Sequence, residues 1–190
     1  VSYLTTFSGR HISIEKGVPS LPDMALGLSR VVRFAGQGKR FFSVAAHTLW
    51  IDDLMQKRHE PEENRLAWML HDAHESVVSD IPTVFKTLDQ KKVGYELDRR
   101  IFDTFFARFG GYDAFCDPDV RDAVKHYDRL ALVTEYEVIG PGHKSYLEAP
   151  AQEHVVFLTE WLRQADRKWV ANGHSAGIQE EYLRRVLALM

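Results

Sequence analysis

Apolar residues recur every three or four positions along most of the chain, the period of helices that bury one face. The clearest stripe, Val93, Leu97, Ile101 and Phe105, stops at Gly110 and Gly111, residues suited to ending a helix. Helix-start chemistry divides the rest. Asp23, after the breakers Pro19 and Pro22, is expected to cap a helix running to about Phe34, and Ser43 to cap one from Val44 to about Arg58. Pro61 with Glu62 and Glu63 suits the first turn of a third helix, predicted to run to about Val78. Pro82 opens a short fourth, and Asp117 with Pro118 starts a long one that ends near Gly140. Two more follow: "AQEHVVFLTEWLRQADRKW" after Pro150, and "SAGIQEEYLRRVLALM" after a break at 171–173. Only "TTFSGRHISI" alternates as a strand does, giving a short N-terminal hairpin or extended arm. No repeat, low-complexity tract or long linker divides the chain, so residues 1–190 read as a single all-α domain, a helical bundle.

Composition narrows the function classes. With 45% apolar and 27% charged residues the chain can build a globular core, and no apolar run nears the roughly 20 residues of a membrane-spanning helix. The first ten residues lack the order of a secretory signal, so the expected compartment is the cytoplasm, that of a bacterial host if the protein is phage-encoded. Cys116 is the only cysteine; any metal must be held by His, Asp and Glu. A net charge of −3 offers no general attraction to duplex nucleic acid.

The stretch "MLHDAHESVVSDIPTVFK", residues 69–86, gathers His71, Asp72, His74 and Glu75 within five positions of the third predicted helix. At 100° per residue, Leu66, Leu70, Ala73 and Val77 form one apolar stripe, and Trp68, His71, Asp72 and Glu75 share the opposite side. With Ala67, Met69 and Val78 on the flanks, the polar stripe is expected to face an internal cleft, where charges need partners or a metal. The plainer reading puts His71 and Asp72 on a solvated face with Trp68 at its rim, since a His-Asp pair arises readily by chance. His47 falls on the core side of its helix, where a lone imidazole is ordinarily a packing residue, and Asp128 lies beside a buried stripe, where a lone acid ordinarily pairs with Arg121 or Arg129. Taken together, two imidazoles and two carboxylates from three helices make a site for a divalent first-row metal.

The order His, His-Asp, Asp resembles that of the HD-domain phosphohydrolases. The blocks "LSRVVRFAGQGKRFFSVAAHT", "WMLHDAHESVVSDIPTVFK" and "VKHYDRLALVTE" are similar to those of the compact phage and bacterial members, among them 5′-deoxynucleotidases and phage dATP triphosphohydrolases, over residues 5 to 135. The resemblance implies an HD-domain helical bundle with His47, His71, Asp72 and Asp128 as metal ligands, and Glu75 and Asp80 as acids near the reactive water. It places Arg33, with Arg30 as the alternative, on the substrate phosphate, Phe34 against the nucleoside, and Lys86 and Lys125 on further phosphates. His74 matches no family role and is expected to be a packing or surface histidine.

The chemistry so implied is hydrolysis. A divalent metal (Zn, Co, Mn or Ni) lowers the pKa of bound water from about 15.7 toward about 7 and polarises a phosphoryl oxygen, with Mg as a companion of the phosphates. Glu75 and Asp80 divide the proton transfers, and three cations favour a polyphosphate. The expected substrate is a small deoxynucleotide. The leading reaction is cleavage of a dNTP, dATP first, to deoxynucleoside and triphosphate; the alternatives are a 5′-deoxynucleotidase acting on dNMPs and a non-catalytic nucleotide-binding regulator. No membrane or duplex partner is expected. Apolar faces near Phe102, Phe105, Phe106 and Phe109 suit either core or a homo-oligomer.

Overall fold

The computed structural model describes residues 2–82, 85–141, 149–169 and 174–190. Strands β1 (Leu4–Thr5) and β2 (His11–Ile12) pair antiparallel, with Leu4 opposite Ile12, and form the expected N-terminal hairpin. All else of regular structure among the described residues is helical: α1 (Leu21–Arg30), α2 (Val44–Lys57), α3 (Glu62–Leu70), the one-turn α4 (Glu75–Val78), α5 (Leu88–Phe105), α6 (Gly111–Phe115), α7 (Pro118–Val138), α8 (Gln152–Trp169) and α9 (His174–Leu189), with short 3-10 turns between some of them. The protein is an all-α bundle. No described helix is long and apolar enough to cross a membrane.

Helix α2 is its axis. Ser43 accepts a hydrogen bond from the Ala46 N–H (3.2 Å), and every side chain from Val44 to Asp52 is buried, so the helix is enclosed on all sides by α1, α3, α7 and α9. Asp52 lies wholly inside. It is paired with Arg65 of α3 (2.8 Å) and Arg185 of α9 (2.8 Å), while Asp53 takes the Trp161 indole N–H of α8 (2.7 Å). The last third of the chain is thus fastened to the central helix by ion pairs as well as by Ile178, Tyr182 and Val186, all fully buried.

Three local expectations are corrected. Ser20, not Asp23, caps α1; Asp23 is the third helical residue and closes a capping box, while its carboxylate also accepts from Thr6 (2.9 Å) and the Ser8 N–H (3.0 Å), tying the hairpin down. Helix α1 ends at Arg30 rather than near Phe34, because Val31 and Val32 turn extended to bridge the segment before α2, through Val44 N–H to Val31 O (3.0 Å) and Arg33 N–H to Phe42 O (2.9 Å). The chain then passes Phe34 and Ala35 in the left-handed region (φ 57° and 50°), a strained pair for residues with a Cβ. The third predicted helix is broken: residues 71–74 form a tightened turn with three-residue hydrogen bonds, such as Ala73 N–H to Leu70 O (2.9 Å) and Glu75 N–H to Asp72 O (3.0 Å). Tyr182 of α9 donates to the Met69 carbonyl that this tightening releases (2.6 Å). The close approach of α1 to α4 needs Gly27, where a Cβ would meet the Ser76 carbonyl oxygen at 2.7 Å.

Phe102 and Phe106 are buried in the core, and Phe105 and Phe109 are partly buried and pack against it. The short helix α6, which sequence periodicity does not mark, folds Phe115 onto Phe102 with ring centroids 3.9 Å apart. The short helix expected at Pro82 falls partly on residues 83 and 84, outside the described residues, as does the break at 171–173.

Replacing Asp52 with Ala takes from the largely buried Arg65 the carboxylate it pairs with, while Arg185 keeps Asp53 (2.7 Å) and Glu181 (2.9 Å). The expected loss is about 3–5 kcal/mol, read as a lower urea midpoint at unchanged m-value; a change under about 1 kcal/mol refutes the role given to this pair.

Candidate metal centre

The tightened turn at 71–74 decides where the polar stripe points. His71 stacks on Trp68 three residues earlier (centroids 4.1 Å apart), and its Nδ1 lies 2.6 Å from the Trp68 carbonyl oxygen. A carbonyl only accepts, so Nδ1 carries the proton and Nε2 is the atom left to face inward. That Nε2 stands 3.1 Å from Asp72 Oδ2.

His47 reaches the same carboxylate from α2, its Nε2 3.8 Å from Asp72 Oδ2. Behind it sits Glu135 of α7, a carboxylate with no solvent exposure. Glu135 Oε1 is 2.6 Å from His47 Nδ1 and accepts the Trp50 indole N–H at 2.6 Å, while Oε2 receives Arg33 through Nε (3.2 Å) and Nη2 (3.1 Å). Donors occupying both oxygens keep Glu135 ionised, and burial is outweighed by His47 and Arg33, so its pKa is lowered. His47 Nδ1 must then donate. Both imidazoles are held by the same device, an acceptor on Nδ1, and both turn Nε2 toward Asp72.

Neither Nε2 has a hydrogen-bond partner among the described residues, although both are screened from solvent. Unpartnered buried nitrogens of this kind are rare, and two of them converging on one carboxylate fit a cation. His47, His71 and Asp72 offer ligand atoms that all lie within 4.8 Å of one another. Asp128 stands outside that set, exposed on α7, but lines the same cavity. Three of the four expected ligands thus form the tight set, and Asp128 stands in the wall of the same cavity.

The cavity above this floor, about 300 Å³, is lined by Arg33, Phe34, Asp72, Glu75, Asp80, Lys86 and Asp128 among others. Most of the site residues expected from sequence are thus brought together. Lys125 is not; it is largely exposed on α7 and pairs with Asp122 (3.1 Å). Arg30, the alternative to Arg33, borders a different hollow beside the hairpin. Arg33 is nearly buried, with Nη1 3.9 Å from Asp72 Oδ2, and its pKa is raised because Glu135 and Asp72 outweigh desolvation. Lys86 Nζ lies 3.8 Å from Glu75 Oε1. Burial, then the charges of Asp72 and Asp80, push Glu75 up to about 9; burial also raises Asp80, against the pull of Arg33. Burial alone would lower His71, but the Asp72 carboxylate raises it to about 9 and is itself depressed.

Proteins of two bacteria are similar to this chain over most of its length. An Escherichia coli protein named as uncharacterized protein YfdR is 32% identical over 145 residues, 74% of each sequence. The chain belongs to the YfdR family. A Rhodobacter capsulatus member, named as uncharacterized protein RCAP_rcc00048, is 35% identical over 140 residues, 70% of each sequence. No family model matches the chain.

Sequence reasoning missed Glu135, although it ends the stretch "VKHYDRLALVTE". Its one signal is spacing: seven residues after Asp128 puts it on the same face of α7. Two predictions test the arrangement. Imidazole ¹⁵N spectra of this YfdR-family protein should show His47 as the Nδ1–H tautomer, and Glu135→Gln should abolish that preference; an Nε2–H tautomer in the parent protein refutes the assignment. In chelator the folded chain holds more protons than the unfolded one between about pH 4.5 and 9, since His71 rises from 6.5 to about 9 and Glu75 from 4.5 to about 9. The His71 contribution is complete below about 6.5 and lost by about 9, so melting temperature should fall as pH climbs through this window, and fall less in Glu75→Gln. A rising curve contradicts it.

Proposed function

We propose that the protein is a metal-dependent phosphohydrolase of deoxynucleotides, related in mechanism to the HD-domain enzymes its motifs resemble. One observation carries the reading: two Nδ1-anchored imidazoles turn buried Nε2 atoms, unpartnered among the described residues, onto Asp72 beneath a cavity lined by Arg33 and Lys86. His47, His71 and Asp72 would hold the cation, with Asp128 available from the wall. A divalent ion with His and Asp ligands, Zn, Co, Mn or Ni, acidifies water and draws charge from a phosphoryl oxygen, which is the chemistry phosphate hydrolysis requires.

The remaining roles belong to the chain's own groups. Arg33 is gripped by Glu135 through Nε and Nη2, so its guanidinium is fixed in the wall as a phosphate contact that needs little reorganisation. Lys86 adds a second cation on the far side of Glu75. Glu75 is buried, its Oε2 accepts no hydrogen bond from the described residues, and its raised pKa lets it hold a proton at neutral pH; Asp80, less enclosed, is the second group able to take or give one. Phe34 presents its ring to the same cavity, beside the space a sugar would fill.

Cleavage of a dNTP to deoxynucleoside and triphosphate, dATP first, is the leading reaction. The position of Lys125, paired with Asp122 away from the cavity, favours a second reading: with two cations rather than three at the phosphates, a 5′-deoxynucleotidase acting on dNMPs. Incubation with dATP and dAMP in Mn²⁺ or Co²⁺ separates them. Triphosphate release supports the first and phosphate from dAMP alone the second, while no product with any divalent metal defeats both. Asp72→Asn and His71→Ala should each reduce turnover to background. Titration with Mn²⁺ should release a proton below about pH 9, so that apparent affinity climbs up to about tenfold per pH unit toward that value; pH-independent binding opposes the ligand assignment.

A further inference from the structure

Beside the Asp72 cavity lies a second one of about 340 Å³, and the two meet at Ile81 and Lys86. Their linings differ in kind. The first is walled mostly by charges. The second exposes mainly apolar surface, from Val78, Val93 and Tyr95, with Lys86, Asp89 and Lys91 also in its lining and His74 of the broken turn set beside Asp98 of α5. His74 Nδ1 approaches Asp98 Oδ1 to 2.8 Å with side chains only 14% and 20% exposed, yet off line, so that neither atom has an aligned hydrogen-bond partner among the described residues. Gly94 of α5 lies against the imidazole, where a Cβ would stand in ordinary contact, 3.4 Å from His74 Cδ2 and 3.5 Å from its Nε2. His74, expected from sequence to be a packing or surface residue, is thus part of a hollow.

A hollow of this size with mainly apolar surface and a few polar groups suits a small planar ring, and since Asp98 and Asp89 balance the charges of Lys86 and Lys91 its wall has no cationic excess of the kind that holds a phosphate. Side by side, an imidazole and a carboxylate complement an edge that carries both N–H groups and lone pairs, as a nucleobase does, and Gln90 adds an amide able to read either. The charged cavity and the apolar one together match the two ends of a nucleotide, with Lys86 at their junction. We propose that the His74–Asp98 cavity receives the base of the deoxynucleotide whose phosphates lie between Arg33 and Lys86, which makes Asp98 and His74 base-reading residues; this rests on the phosphohydrolase reading. Phe34, in the other cavity, is then left to the sugar.

The test separates the two ends of the substrate. Calorimetry of the full chain with Mn²⁺ uses the four deoxynucleosides as base probes and inorganic tripolyphosphate as the phosphate probe. Val93→Trp fills the second cavity from α5; Asp98→Asn keeps its shape and removes the charge. At least one deoxynucleoside should bind, about tenfold or more weakly to Val93→Trp, with the order of preference among bases altered in Asp98→Asn and tripolyphosphate affinity unchanged in both. Deoxynucleoside binding that is absent, or untouched by both variants, or lost instead in Phe34→Ala, overturns the proposal. Should Val93→Trp melt early, Asp98→Asn decides alone. Failure of the phosphohydrolase reading looks different: deoxynucleosides still bind with these preferences, but no nucleotide is turned over.

Discussion

A carboxylate buried without water must be surrounded by donors, and the interior of this protein is arranged around one such group. Glu135 takes hydrogen bonds from Trp50, His47 and Arg33, residues of α2 and of the segment before it. An unpaired charge at that depth would be too costly to keep, so each donor is committed to its place by the others. The consequences reach the site as well as the fold. Because Glu135 can only accept, His47 is left with a bare Nε2; because it grips two nitrogens of Arg33, the guanidinium faces the cavity from a fixed position. One buried acid therefore sets both a candidate metal ligand and a candidate phosphate contact, and ties α7 to α2 in doing so.

The broken third helix supplies the rest of the site. A continuous α-helix would keep His71, Asp72 and Glu75 on a 100° spiral, whereas the tightened turn stacks His71 over Trp68 and presents its Nδ1 to the Trp68 carbonyl. The break is sustained from a distance. Tyr182 of α9 satisfies the Met69 carbonyl that loses its helical partner, and α9 is itself locked onto α2 through Arg185 and Asp52. The last third of the chain, which has no counterpart in the motif resemblance, is in this sense a support for the turn that carries His71 and Asp72. The same turn throws His74 to the other side, against Gly94 of α5, where it meets Asp98. Four residues of backbone thus feed two cavities of different chemistry.

Much of this was legible before folding. Helical periodicity, the Ser43 and Asp117 caps and the proline positions located α2, α7, α8 and α9 closely, because caps and stripes act within a few residues of each other; α5 ends at Phe105, with a 3-10 turn between it and the expected stop at Gly110. The alternation of "TTFSGRHISI" marked the hairpin for the same reason. His47, His71 and Asp72 stood out as polar groups on faces that had to be interior. Local signals failed where a distant partner overrode them. The end of α1 was set by strand-like pairing of Val31 and Val32 with the segment before α2, and the break at 71–74 contains no glycine or proline to announce it.

By itself the sequence determined that this is one helical bundle with acids and imidazoles buried on its central helices, since burial and periodicity are properties of short stretches. Tertiary structure alone decided which of those groups meet. It set Asp128 in the cavity wall rather than in the tight cluster, left Lys125 on the surface with Asp122, and placed Glu135 behind His47, because a hydrogen bond between residues 88 positions apart is fixed by how helices pack.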